Sequence, residues 1–178
     1  SIIGYLGRHN DSKNVQHVLE ALEQLGDPRL ACVIVGSGPE RKRLEAFIEE
    51  HHLENAAALL GHRPLPEALT LMKSFDIFVN PSYSEGIPTS VIEAAFMKKA
   101  IIATAVGGTS EIISGNGDGF LISPKNTSAL AEKLKLLVKD ASLRQTLCTK
   151  AFLAVQDKFS WPRAIEQYLV LFNQKSAP

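Results

Sequence analysis

The sequence predicts an α/β protein built on a Rossmann-like, doubly wound parallel sheet, and two observations carry that expectation. Short apolar runs alternate with longer stretches of helical spacing along most of the chain. Several of the short runs are apolar at nearly every position, as strands covered on both faces of a parallel sheet must be. A third observation concerns where function could sit. The loops that follow several strands are rich in glycine and polar residues, and in such a sheet ligands bind beyond the carboxyl ends of the strands.

The strand-like runs are "IIGYLG", "LACVIVG", "AAALLG", "DIFVNP", "AIIATAV" and "GFLI". Between the first five lie "NVQHVLEALEQL", "PERKRLEAFIEEHH", "LPEALTLMKS" and "TSVIEAAFMKK", each with apolar residues recurring at three and four positions. A β-α-β-α order of this kind closes through right-handed crossovers. After "GFLISPKN" the pattern changes to three further helical stretches, 128–139, 142–157 and 161–174. The last opens "FSWPRAIEQYLVLF", with Ser160 placed to cap it and Pro162 in its first turn. Its apolar residues cover more than one face, so it needs neighbours on both sides.

With 178 residues and 45% hydrophobic composition the chain can bury a sizeable core, and residues 1–178 read as one domain. Nineteen basic residues balance nineteen acidic ones, which leaves no whole-chain attraction to nucleic acid or to an anionic membrane. Cys32 and Cys148 fall in apolar runs and read as buried thiols of a reducing compartment. No run reaches the ~18 apolar residues of a membrane span, and the start lacks the layout of a signal peptide. A cytoplasmic location is the expectation.

Four loops hold the candidate chemistry. "GRHNDSKN" places Arg8 and Lys13 around a turn and a helix start, where side-chain charge and free N–H groups can grip a diphosphate. A solvated loop accounts for the same residues, although a cation at a helix N-terminus opposes the helix dipole unless an anion is near. "VGSGPE" supplies Gly36 and Gly38, an incomplete dinucleotide fingerprint that a tight turn with Pro39 at the first helical position explains equally well. "PSYSEGIPTS" carries Glu85, Gly86, Ile87, Pro88 and Thr89 ahead of Glu93, and "VGGTSE" follows the fifth strand. Ser90 and Glu93 have the spacing of a capping box, which would make Glu93 a helix cap. That reading leaves Glu85 unexplained.

The order "GR-x4-K", "VGSGPE", "LLGHRP", "DIFVNPSYSEG-x6-E", "ATAVGGTSEII", "GFLI" and a closing "FSW" helix resembles the C-terminal, nucleotide-sugar-binding domain of family 4 retaining glycosyltransferases, over nearly the whole chain. These enzymes have the GT-B architecture of two facing Rossmann-like domains, of which this chain would be one half. The most specific match is the pair Glu85 and Glu93 with seven residues between them. The resemblance implies that Arg8 and Lys13 neutralise the donor diphosphate, that Glu93 accepts from the ribose hydroxyls, and that Glu85 faces the donor sugar. It further implies that backbone around Gly86, Ile87, Pro88 and Thr89 meets phosphate or sugar, and that Arg63 lies beside the base. Two positions depart from the family pattern: Asn14 replaces the usual glycine after the lysine, and Pro88 replaces a frequent glycine.

The implied reaction is transfer of a sugar from a UDP- or GDP-linked donor, in glycan, polysaccharide or glycolipid synthesis. The absence of Asp-x-Asp from the sequence makes metal-independent transfer without a cofactor the expectation. An acceptor-binding N-terminal domain would be the partner of this half and could associate peripherally with a membrane, and the fragment alone would be inactive. In the family the last helix packs back on that domain, which accounts for its broad apolar surface. A sugar-nucleotide epimerase, a glycosyl phosphorylase and a non-catalytic nucleotide-binding module are the competing readings.

Overall fold

The computed structural model of the chain describes residues 1–174. Six strands, β1 (Ile2–Leu6), β2 (Ala31–Val35), β3 (Ala57–Gly61), β4 (Ile77–Asn80), β5 (Ala100–Thr104) and β6 (Phe120–Ile122), form one sheet in the order 3-2-1-4-5-6. Every adjacent pair is parallel. β4 and β5 are buried at every position, so their sequences, apolar up to the closing Asn80 and Thr104, follow from being covered on both faces. β3, at the edge, is only partly buried.

Two apolar cores lie on opposite faces of the sheet. One takes Val18 and Leu19 of α1 (Gln16–Leu25), Leu44 and Ile48 of α2 (Arg41–Glu50), and Leu130 and Leu134 of α6 (Thr127–Lys139). The other takes Met72 of α3 (Leu65–Lys73), Val91 and Ala94 of α4 (Thr89–Phe96), Ile112 of α5 (Thr109–Ile112), and Ala151 and Val155 of α7 (Ala141–Lys158). Helix ends follow local chemistry. Asn126 and Asp140 accept from Ala129 N and Leu143 N to cap α6 and α7, and Gly26 ends α1 in the left-handed conformation.

The last helix, α8 (Trp161–Gln174), begins where its sequence indicates, with Ser160 Oγ accepting from Arg163 N at 3.4 Å. It leaves Trp161 84% exposed and Ile165, Tyr168 and Leu169 more than half exposed. Both cysteines are free and buried, and burial pushes the Cys32 thiol up to about 12.

The strand order places a topological switch point between β1 and β4. From β1 the chain winds outward through α1 to β2, and from β4 it winds the other way through α4 to β5. The chain leaves these two strands toward opposite edges of the sheet, and a crevice opens at their carboxyl ends.

Local structure differs from the sequence-based expectation in three places. α2 starts at Arg41 after a turn through Pro39 and Glu40, so Pro39 is outside the helix. The capping box does not form: Pro88, in extended conformation, is the boundary residue of α4, and Ser90 and Glu93 lie too deep in the helix to cap it. The four-residue α5 and a 3-10 turn at Asp11–Lys13 are additional elements, too short for apolar periodicity to reveal.

Candidate functional site

A cleft of about 720 Å³ opens at the switch point, between the loops that follow β1, β2, β3 and β4. Of the sequence-predicted residues, Arg8, Lys13, Gly36, Arg63, Glu85, Ile87, Pro88, Thr89 and Glu93 line it, while Gly38 and Gly86 do not. His62, Ser37, Leu65 and Ser90, to which the sequence assigns no site role, also line it.

The loop after β1 is held from below. The buried Tyr5 phenol donates to the Arg8 carbonyl at 2.8 Å, and burial, reinforced by the Glu85 charge, pushes that phenol's pKa up so that it remains a donor. Arg8 itself is exposed and its guanidinium has no ion-pair partner among the described residues. Beyond it, Asn10 Oδ1 accepts from Lys13 N at 3.2 Å and sets the 3-10 turn that presents the lysine. Asn14 then takes φ 45, ψ 45, a left-handed conformation that glycine adopts freely and asparagine tolerates, which explains how asparagine serves at this position.

Lys13 does not point into the cleft as a free charge. Its Nζ lies 2.7 Å from Glu85 Oε2, and the Glu85 side chain is only 7% exposed. The other carboxylate oxygen, Oε1, accepts from Ser82 Oγ at 2.7 Å and from Asn80 Nδ2 at 3.3 Å. Ser82 is fully buried, and Thr104 at the end of β5 donates to its carbonyl at 2.5 Å. Of the three residues expected to be catalytic, Glu85, Arg8 and Lys13, the glutamate and the lysine thus form one cluster, supported by two polar residues at and just after the end of β4, and Arg8 stands apart from it. The signal for Asn80 and Ser82 in the sequence is that polar side chains close a wholly apolar strand.

Glu93 contrasts with Glu85. It is half-buried on the first turns of α4, has no hydrogen-bond or ion-pair partner among the described residues, and burial raises its carboxyl pKa. Beside it, the leading N–H groups of α4 at Thr89 and Ser90 have no intrahelical acceptor and flank the same cleft. A half-buried carboxylate with open acceptor sites next to free N–H donors can take a ligand that offers both hydroxyls and anionic oxygens.

The glycines act by close approach. A Cβ on Gly36 would collide with the Gly7 carbonyl oxygen, and one on Gly38 would collide with the His9 carbonyl oxygen. They dock the β2 loop onto the β1 loop, with His9 N donating to Ser37 O and Glu40 N donating to His9 O, both at 2.9 Å. Gly36 reaches the cleft wall while Gly38 stays behind it. Gly86 sits exposed on the rim, and a methyl group there would meet nothing within 4 Å. Among the described residues no group of His, Cys, Asp or Glu side chains is arranged to hold a metal ion.

Comparison with known proteins agrees with this geometry. Residues 1–152 match the sequence model of the family "Glycosyl transferases group 1". A putative teichuronic acid biosynthesis glycosyltransferase, TuaC of Bacillus subtilis, is 34% identical over 155 residues, covering 87% of this chain and 37% of the relative. The crystal structure of the C-terminal domain of a group 1 glycosyl transferase, LpcC of Francisella tularensis, superposes with a TM-score of 0.83 at 28% identity, over 90% of this chain and 86% of that one. TarM of S. aureus, solved in complex with Fondaparinux, alpha-GlcNAc-glycerol and UDP, superposes with a TM-score of 0.88 at 28% identity, over 97% of this chain and 35% of that one. The chain spans roughly a third to a half of the length of the curated relatives it matches. With the family match across most of its length and the fold of a GT-B C-terminal domain, the chain belongs to the group 1 glycosyl transferases.

Proposed function

We propose that this chain is the donor-binding half of a retaining glycosyltransferase that takes a sugar from a UDP- or GDP-linked donor for glycan, polysaccharide or glycolipid synthesis. The observation that carries the reading is one cleft lined by three cations, Arg8, Lys13 and Arg63, two carboxylates in different environments, and the N-terminus of α4. Departure of the diphosphate develops negative charge, and Arg8, Lys13 and the α4 N–H groups are positioned to stabilise it more in the transition state than in the ground state. This supply of positive charge supports transfer without a metal ion. Glu93 would accept from the ribose hydroxyls, Glu85 would face the sugar, and Arg63 with His62 would flank the base. UDP in the TarM complex supports a uridine diphosphate as the first ligand to try.

The acceptor would be held by a second domain, because transfer needs both reactants fixed in one geometry. The apolar, exposed surface of α8 around Trp161 suits packing against that domain. The relatives' greater length supports this division. On this reading the 178-residue chain binds a nucleoside diphosphate weakly and transfers nothing by itself.

Calorimetry with UDP and GDP tests the proposal. Each charge-assisted contact in a sheltered site is worth ~1.5–3 kcal/mol, so Arg8→Ala weakens binding by roughly ten- to a hundredfold. Equal affinity for the wild type and the Arg8→Ala, Lys13→Ala double variant would overturn it.

A further inference from the structure

We propose that Ser82 is a positioning residue for the donor sugar, acting through Glu85; this rests on the donor-binding reading above. The inference comes from the acceptor capacity of the Glu85 carboxylate. An ionised carboxylate offers about four acceptor sites, two on each oxygen. Ser82 Oγ at 2.7 Å and Asn80 Nδ2 at 3.3 Å occupy both sites of Oε1, and Lys13 Nζ at 2.7 Å occupies one site of Oε2. One site on Oε2 is left, on a group that lines the cleft while its side chain is only 7% exposed. A carboxylate so held can accept one ligand hydroxyl in one direction.

Ser82 is suited to set that direction. It is fully buried, and its carbonyl is fixed by Thr104 from the neighbouring strand, so its hydroxyl has a rigid base. The hydroxyl also lies 2.7 Å from Asn80 Oδ1. Having a single hydrogen, it donates to one oxygen at a time, and the carboxylate is the stronger acceptor. Without that donor, Oε1 regains an open site and keeps only the longer 3.3 Å contact from Asn80, so the carboxylate is held less firmly and its ordered geometry toward the sugar is loosened. The diphosphate does not depend on this oxygen, since its contacts come from Arg8, Lys13 and α4.

The test is a double-mutant cycle on the purified 178-residue chain, read by calorimetry with UDP, GDP and a panel of their sugar conjugates. Ser82→Ala is expected to weaken the sugar conjugate about tenfold while changing the plain diphosphate less than about twofold. In the Glu85→Ala background the same substitution is expected to change neither, because a residue acting through the Glu85 carboxylate then has nothing left to orient. A purely structural role would lower both affinities and would persist in the Glu85→Ala background, and either result overturns the proposal. Should Ser82→Ala fail to fold, Ser82→Cys, which keeps a similar volume with a weaker donor, carries the same expectation. A wild-type chain that binds no member of the panel overturns the donor-binding reading, and this role with it.

Discussion

Lys13 Nζ and Glu85 Oε2 meet at 2.7 Å across 72 positions of sequence, so the ligand-free cleft holds an ion pair where the sequence alone suggests a free cation. The lysine is 25% exposed and the glutamate 7%, which shelters the pair without sealing it. An incoming diphosphate must therefore compete with a carboxylate for the lysine.

Glu85→Gln relieves that competition. The plain diphosphate is expected to bind a few-fold more tightly, because the Lys13 charge is no longer partly neutralised by a carboxylate and its ammonium, with N–H donors enough for two partners, acts on the diphosphate in full. The sugar conjugate is expected to bind more weakly, since the amide lacks the charge and one acceptor oxygen. Parallel titrations decide it: unchanged affinity for both ligands means that the carboxylate is architecture.

Glu93 gives a pH-dependent outcome with a definite sign. Burial raises its carboxyl pKa in the folded chain, so its contribution to stability is full below the unfolded glutamate value of ~4.3 and is lost as pH rises through the folded one. Thermal unfolding of Glu93→Gln, followed from below that value up to neutral pH, is expected to lack the fall. The same variant is expected to weaken UDP or GDP binding about tenfold if the carboxylate accepts from ribose hydroxyls. A destabilised variant with unchanged affinity would return Glu93 to a structural role.

His9 and His17 act in the opposite direction. Both are buried, neither ring has a hydrogen-bond partner among the described residues, and burial lowers both pKa values, with Arg41 adding to the effect on His9. Their contribution is present above the unfolded histidine value of ~6.5 and is lost as pH falls through the folded values. Stability measured from neutral pH downward is expected to drop in the wild type and to drop less in His9→Leu and His17→Leu. Identical pH dependence in all three chains would contradict the burial argument.

Two glycines of the cleft region separate fold from ligand. Gly36→Ala drives a methyl into the Gly7 carbonyl at φ 136, and is expected to cost ~3 kcal/mol or more or to prevent folding. Gly86→Ala meets nothing within 4 Å and is expected to leave the melting temperature nearly unchanged while weakening donor binding, if ligand occupies that space. Chemical denaturation of both variants, with UDP titration of Gly86→Ala, checks the contrast.

Among the described residues, the six strands, seven of the eight α-helices and the location of the cleft are legible in the chain because each rests on local patterning or on the few topologies it allows. An unbroken apolar run such as that of β5 can only be covered on both faces, and a strand–loop–helix repeat has few topologies open to it. Arg8, Lys13 and Glu85 are legible as residue types in loops at one sheet edge, and Glu93 in the helix that follows the last of these loops. What they do to one another is not, because a side-chain pair separated by 72 positions has no trace in spacing. The register of α4 likewise follows from Pro88, whose extended ψ of 103 puts it outside the helix and leaves Ser90 and Glu93 too far in to form the capping box they spell. Asn80 and Ser82 become readable as supports of Glu85 only when the loop after β4 turns back over its own strand end. Local patterning determined which elements form and which loops meet; the folding of distant loops onto one another decided which charges are paired and which carboxylate is left open.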